Sequence, residues 1–458
     1  MSRPITSKAI NMIKDMEKNS EHEEDASVAP NLKMRDGIIL MPQPSNDPND
    51  PLNWSWFRKH AAMFTISYLA LVCYVAVTTL VTGTVPLAES LHVSKSTAVY
   101  LGNTPVALYG VAPWLWSPLS HFIGRRSVLL ICNVIAMVGA IVVATSKTYA
   151  ACIVGRVILG AGGSAFWTLG PASIGDMVFF LPETIYIREA RPDSASTTTQ
   201  DQSFVTTPGE STLWARYGIH IPKRREEKQH SFFFIATRPF VLFKFPAVIL
   251  SAFWFGIAYM MHVGITAEIP LVFEEQYNFS VLDVGLTGFS GLIGALIGEA
   301  YAGPSLDYIA KHKMKHGREW RPEYRLQAVW PSLVAVPAGL IMFGTSLQFG
   351  HAWITPLVGQ AIYIFGIEVG TTVIQTYILE CYPRQGAEAN LVFNLIRNIF
   401  SYTGPFFVQP MIARLGITSP FALFAALTVF FFPFTMGVLM WRGKEIRDKG
   451  GDPGWSRD

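Results

Sequence analysis

An all-α, polytopic transmembrane fold of about ten spans is what this sequence predicts, and three observations carry the prediction. Hydrophobic residues fill 50% of its 458 positions against 15% charged, and mean hydropathy is +0.31, the profile of a membrane protein rather than a soluble domain. Ten stretches are nearly free of charge over the ~20 residues a helix needs to cross a bilayer. Lysine and arginine gather in loops that would share one side of the membrane.

The chain opens with a polar, mixed-charge region over 1–57 (KDMEKNSEHEED), which has no secretory signal's apolar core and is expected to be disordered and cytosolic. Trp54, Trp56 and Phe57 at its end suit an aromatic belt at the membrane surface. A first membrane half, 58–182, is expected to hold four spans: Ala61 to Val81, Ser96 to Leu119, Ser127 to Ser146 and Thr148 to Ile174. A Ser/Thr-rich stretch with Lys223, Arg224 and Arg225 then reads as a solvated linker over 183–237. A second half, 238–442, is expected to hold six: Pro239 to Ala267, Val284 to Ser305, Ala328 to Phe349, Ala352 to Leu379, Ala389 to Ile412 and Ile417 to Trp441. Residues 443–458 form a tail.

Arg125 and Arg126 lie in the loop after the second span and six basic residues fall between Lys311 and Arg325, whereas Phe273 to Asp283 has none. Positive-inside counting therefore places both termini and the linker in the cytosol. The net charge of +3 is small and spread along the chain, so no nucleic-acid partner is indicated; membrane lipid is the expected surroundings. Cys73, Cys132, Cys152 and Cys381 stand singly in or beside apolar runs, without disulfide framework or metal-ligand spacing, and read as packing residues. No His/Glu metal pair, Ser/His constellation or phosphate loop points to an enzyme. A receptor is compatible with the composition.

Several polar residues interrupt the spans. Arg156 must face protein or water, because a charge in lipid costs several kcal/mol. It has two readings: a guanidinium holding a nearby carboxylate in a proton site, or a structural donor to carbonyls. Beside it, Gly160, Gly162 and Gly163 read as small residues for close helix approach. Gly285, Gly288, Gly291, Gly294 and Gly298 draw one drifting stripe along a later span, a close-contact or sliding surface. Glu368, Thr372 and Gln375 share a helix face, and so do Asn390, Asn394, Arg397 and Ser401 on the next span. At 1.5 Å per residue Glu368 lies about 16 Å and Arg397 about 12 Å from their cytosolic ends, so the two are expected to share a depth and one cavity, paired or otherwise. His262 is a candidate proton group, with a local hydrogen bond as the plainer alternative. Six residues on, Glu268 shares no face with it and precedes Pro270, as at an outer surface.

A weak internal repeat links SPLSHFIGRR from Ser117 with GPSLDYIAKHK from Gly303; each has a small residue, Pro, a polar residue and a basic loop. Such halves are the usual build of secondary transporters. With DPNDPLNW at 47–54, the pattern Arg156, Gly160, Gly162, Gly163, and PEYRL at 322–326, the chain resembles the fungal drug:proton antiporter branch of the major facilitator superfamily over roughly Asp47 to Arg447.

The resemblance implies twelve spans where about ten are present, with GPASIGDMVF running directly into FLPET. The fifth and sixth helices and the antiporter motif are missing, as after an internal deletion. It implies a proton-coupled exporter of small amphipathic compounds, a monomer in the plasma membrane with no cofactor beyond the proton gradient. It assigns proton coupling to Arg156 by position. It assigns a latch between halves to the loop with His121, Gly124, Arg125 and Arg126; His121 departs from the family acid, which Asp307 retains in the second half. The alternative is a shortened, transport-inactive form from a splice or gene-model deletion.

Overall fold

The computed structural model describes residues 34–35, 38–39, 55–167, 169, 232–315, 321–382 and 385–450. The expected deletion junction, most of the linker and the DPNDPLNW stretch lie outside the described residues. Contacts divide the chain into Met1–Ser55 and Trp56–Asp458. The first unit contains a two-residue antiparallel pair, β1 (Met34–Arg35) and β2 (Ile38–Ile39), with Met34 opposite Ile39.

The second unit is helical. Its first part comprises α1 (Trp56–Thr82), α2 (Thr84–Ser90), α3 (Lys95–Val111), α4 (Pro113–Ile123), α5 (Arg125–Thr145) and α6 (Tyr149–Gly163). After the undescribed segment come α7 (Phe232–Val241), α8 (Pro246–Tyr277), α9 (Val281–Leu286), α10 (Gly288–Lys315) and a 3-10 stretch, Pro322–Val329. Then follow α11 (Trp330–Gln348), α12 (Ile354–Cys381), α13 (Gly386–Leu415), α14 (Thr418–Phe431), a π turn over Pro433–Gly437 and α15 (Val438–Gly450). Local chemistry explains several ends. Ser94 caps α3 by accepting from the Thr97 amide, and Ser280 with Asp283 forms a reciprocal capping box at α9. Between α4 and α5 the chain turns at Gly124, whose φ of 86° favours glycine.

Among the described residues eight helical stretches are long and apolar enough to cross a membrane: Met63–Thr82, Arg125–Thr145, Tyr149–Trp167, Pro246–Tyr277, Val281–Lys313, Pro322–Gln348, Ile354–Cys381 and Thr418–Gly450. Two of the ten expected spans are not among them. The one over 96–119 is broken at Ala112, where Pro113 has no N–H to continue α3. The one over 389–412 lies on α13, whose asparagines and arginine lower its hydropathy. The expected span from Pro239 to Ala267 also shifts: α7 and a 3-10 turn occupy 232–244, and the crossing helix runs from Pro246 to Tyr277.

Two apolar cores form, one around Val77, Trp116, Cys132 and Leu159, the other around Trp254, Phe343, Tyr363 and Tyr377. Helices approach closely where glycines meet backbone. A Cβ on Gly139 would sit 2.3 Å from the Leu159 nitrogen, drawing α5 onto α6, and one on Gly339 would sit 2.4 Å from the Tyr363 nitrogen, drawing α11 onto α12. The two halves meet mainly along α3 and α13, where Tyr100 stacks on Phe406 at 4.8 Å and Gly110 faces Asn398.

Candidate substrate cavity

Between the halves lies a cavity that, with the open solvent at its edge, takes in about 730 Å³ free of protein atoms. Its walls come from α1, α2, α3 and Trp167, just past α6, on one side and from α8 and α13 on the other, and it includes Asn103, Tyr109, Tyr259, His262 and Arg397. Arg397 is 6% exposed. Its guanidinium lies 5.0 Å from the Tyr259 ring centre, 5.8 Å from Trp167 and 5.9 Å from Phe393, within cation–π range. Tyr259 also stacks on His262 at 4.8 Å. The polar face of α13 is under-satisfied: Asn390 Oδ1, both amide atoms of Asn394, Arg397 Nε and Ser401 Oγ have no hydrogen-bond partner.

Glu368 takes a different direction. Among the described residues it forms no ion pair with Arg397, and it is absent from the cavity lining. The rotation of α12 turns it toward α10: a Cβ on Gly298 would meet its Cβ at 2.9 Å, and one turn on, Thr372 Oγ1 donates to Glu299 at 2.8 Å. Gln375, on the same face, is half-buried. The expected common cavity for Glu368 and Arg397 therefore separates into a lined site and a neighbouring helix contact.

Arg156 is fully buried and spends its donors on backbone. Nε donates to Leu101 O at 2.7 Å, Nη2 to Val77 O at 2.7 Å and to Gly102 O at 3.2 Å, and Nη1 to Ala76 O at 3.4 Å. Leu101 O is available because Pro105, four residues on, has no N–H to offer it. Among the described residues no carboxylate joins this arrangement, so Arg156 ties α6 to α1 and α3. Its glycine neighbours divide their contacts: a Cβ on Gly160 would come 2.7 Å from Pro105 Cα, one on Gly162 2.4 Å from the Ala136 nitrogen, and one on Gly163 3.3 Å from the Tyr109 hydroxyl.

The stripe on α9 and α10 is likewise split. Gly294 and Gly298 press on α12, with a Cβ on Gly294 only 2.3 Å from Ala361 O, and Gly291 lies near Gln360. Gly285 and Gly288 meet nothing within 4 Å. In the loop motif Gly124 makes the turn, His121 is exposed and Arg125 and Arg126 are half-buried, while Asp307 is exposed on α10.

Sequence reasoning missed Glu268. The longer α8 carries it inside the helix, 3% exposed, where Gln409 Nε2 of α13 donates to it at 2.6 Å. Its neighbours Thr266 and Ala267 line the cavity. Asn103 was legible as a polar residue within an apolar run; Tyr259 and Trp167 carried no signal that separates a cavity wall from a core. Between the start of α3 and the end of α8, Lys95 Nζ donates to Glu275 at 2.6 Å, a bond that raises the ammonium above its ordinary range. Among the described residues no cluster of three His, Cys, Asp or Glu could hold a metal ion.

Residues 67–178 match the Major Facilitator Superfamily profile, a stretch that contains Arg156 and the loop motif. Fungal relatives extend the similarity over most of the chain. The MFS-type transporter penM of Penicillium rubens is 24% identical, covering 84% of this chain and 85% of its own length. The chain is thus similar to major facilitator superfamily transporters, by the profile over 67–178 and by these relatives over most of its length. An uncharacterized transporter of Schizosaccharomyces pombe is 24% identical over 90% of this chain and 94% of its own, and the efflux pump vrtL of Penicillium aethiopicum is 24% identical over 89% and 88%. Among the described residues, eight helical stretches are long and apolar enough to cross a membrane, and the cavity lies between the two helical halves.

Proposed function

We propose that this protein is a major facilitator superfamily transporter, a proton-coupled exporter of small amphipathic compounds such as drugs, toxins or secondary metabolites, in the drug:proton antiporter branch. The observation that carries the reading is the cavity between the halves, whose walls combine aromatic rings with a few polar side chains. Ligand sites are built in this way. The efflux-pump name of one relative agrees with export. Glu268 is the candidate proton carrier: a buried acid beside the cavity, bridged to α13 by Gln409. Arg156 supports the site by bracing the helices that wall it. A plasma-membrane location, a monomeric unit and cytosolic termini belong to the same proposal.

Purified full chain in liposomes with an imposed pH gradient tests it. Amphipathic fluorophores should move against the proton flow, and a protonophore should stop them. Rates equal to those of empty liposomes would overturn the reading.

A second reading, a shortened and transport-inactive form, is favoured by α10. Only 22% of the most apolar part of Val281–Lys313 is buried, against 72% of that of Pro246–Tyr277, and Glu299 is exposed in the middle of α10 where a charge facing lipid is costly. A helix pair absent from this chain would cover that face. Transcript sequencing decides: an in-frame segment encoding two hydrophobic spans between Asp176 and Leu181 establishes the deletion.

A further inference from the structure

We infer that the cavity selects organic anions, specifically amphipathic aromatic compounds bearing a carboxylate, and that Arg397 is the residue that receives the carboxylate. The inference rests on the exporter reading for its site and adds the class of substrate.

Arg397 is the sole charged residue in the cavity lining, and among the described residues no Asp or Glu contributes to that lining. Glu368 is near enough for its charge to be felt at Arg397, yet no ion pair forms and its side chain faces α10. A guanidinium so deeply buried ordinarily has a carboxylate or several carbonyls as partners. Arg156 in this same chain shows the ordinary case, with four carbonyl contacts. Arg397 instead has aromatic faces and an unpartnered Nε.

The groups around it complete the specification. Asn103 Nδ2 is a buried donor without an acceptor, and the Ser401 hydroxyl and His262 Nδ1 are also unpartnered. Asn103 lies on α3 and the others on α8 and α13, so unsatisfied groups converge on one space from both halves. Donors and a cation around an acid-free space match an anion. The planar fork of arginine accepts a carboxylate through two parallel hydrogen bonds, and the rings of Tyr259 and Trp167 offer faces to an aromatic body. A cationic substrate would meet Arg397 with no acid in the described lining to compensate it.

Three probes that share a ring and differ in charge test this on the detergent-solubilised full chain: 1-naphthoate, 1-naphthamide and 1-naphthylmethylammonium, each titrated while thermal unfolding is followed. Naphthoate should bind about tenfold or more tightly than the amide, the ratio expected of a charge-assisted hydrogen-bond pair. Arg397→Gln should erase that ratio while leaving the amide within about threefold of its wild-type affinity. Arg397→Lys keeps the charge and loses the fork, so it should weaken naphthoate and retain a preference for it. Equal or tighter binding of the amide or the ammonium to the wild-type chain, or no shift with any probe, would overturn the inference without need of a variant. So would an unchanged ratio in a folded Arg397→Gln. Liposome transport separates the two levels: export without anion preference sinks this inference alone, whereas anion-selective binding without gradient-driven movement sinks the exporter reading alone.

Discussion

Two buried arginines in this chain do opposite things with the same side chain. Arg156 fills its donors with the carbonyls of Ala76, Val77, Leu101 and Gly102, and replacing it removes these bonds and leaves Leu101 O, opposite Pro105, without a partner. Arg156→Ala should lower stability by about 2–4 kcal/mol, taking roughly 1 kcal/mol for each lost bond. Thermal unfolding in detergent measures it, and Arg156→Lys should recover part of the loss. The companion prediction concerns Glu268. Glu268→Gln preserves size and can still bond Gln409, so it should leave the fold intact while abolishing the dependence of transport on the pH gradient. Retained coupling in that variant would move the proton site elsewhere.

Helix contacts are set by where glycines fall, and the stripe of five on α9 and α10 is not uniform. Gly294 lies so close to Ala361 O that Gly294→Ala must push α10 and α12 apart, at a cost of about 1–3 kcal/mol. Gly285 has open space around it, so Gly285→Ala should be neutral or stabilise by up to ~1 kcal/mol through helix propensity. Unfolding of the two single variants under identical conditions gives the comparison. The Lys95–Glu275 pair links the start of α3 to the end of α8 and is partly exposed, at 45% and 63%. Such a pair contributes about half a kcal/mol or less and is screened by salt. Because the bond to Glu275 raises the Lys95 ammonium, its contribution is fully present below the ordinary lysine range of about 10.4 and is lost only as pH rises through the higher folded value. The stability difference between wild type and Lys95→Gln should therefore stay flat through neutral pH and close in strong alkali.

At the scale of the whole molecule, burial is uneven in a way that bears on function. The helices around Trp254 and Tyr363 are enclosed, whereas the outer faces of α1, α5 and α10 are largely exposed apolar surface, as suits lipid contact. Glu299 departs from that rule. On the shortened-form reading, two further spans would bury it. Restoring such a segment should raise the unfolding temperature and reduce labelling of a cysteine placed at Leu296 by a lipid-soluble maleimide, while an unaltered labelling rate would leave α10 as a true lipid-facing helix. On the cytosolic side, by the proposed orientation, the PEYRL stretch is held by its charges: Arg325 pairs with Glu380 of α12, and Glu323 lies 3.2 Å from Arg447 of α15. The motif thus ties three elements of the second half together.

Composition, span length and polar periodicity by themselves determined the membrane class, most helix positions and the polar face of α13, because hydrophobic transfer and the 3.6-residue repeat act locally along the chain. Periodicity states which residues share a face of one helix. It cannot state how that helix is rotated about its axis against its neighbours. Rotation sends Glu368 to α10 while Arg397 faces the cavity. It also brings Arg156 to the carbonyl freed by Pro105, a partner 55 residues away. The depth of Glu268 had the same origin, since where α8 begins and ends is decided by Pro246 and by packing beyond it. Only the tertiary structure could separate a guanidinium consumed by carbonyls from one left open to a ligand, because satisfaction of a buried polar group depends on atoms distant in sequence.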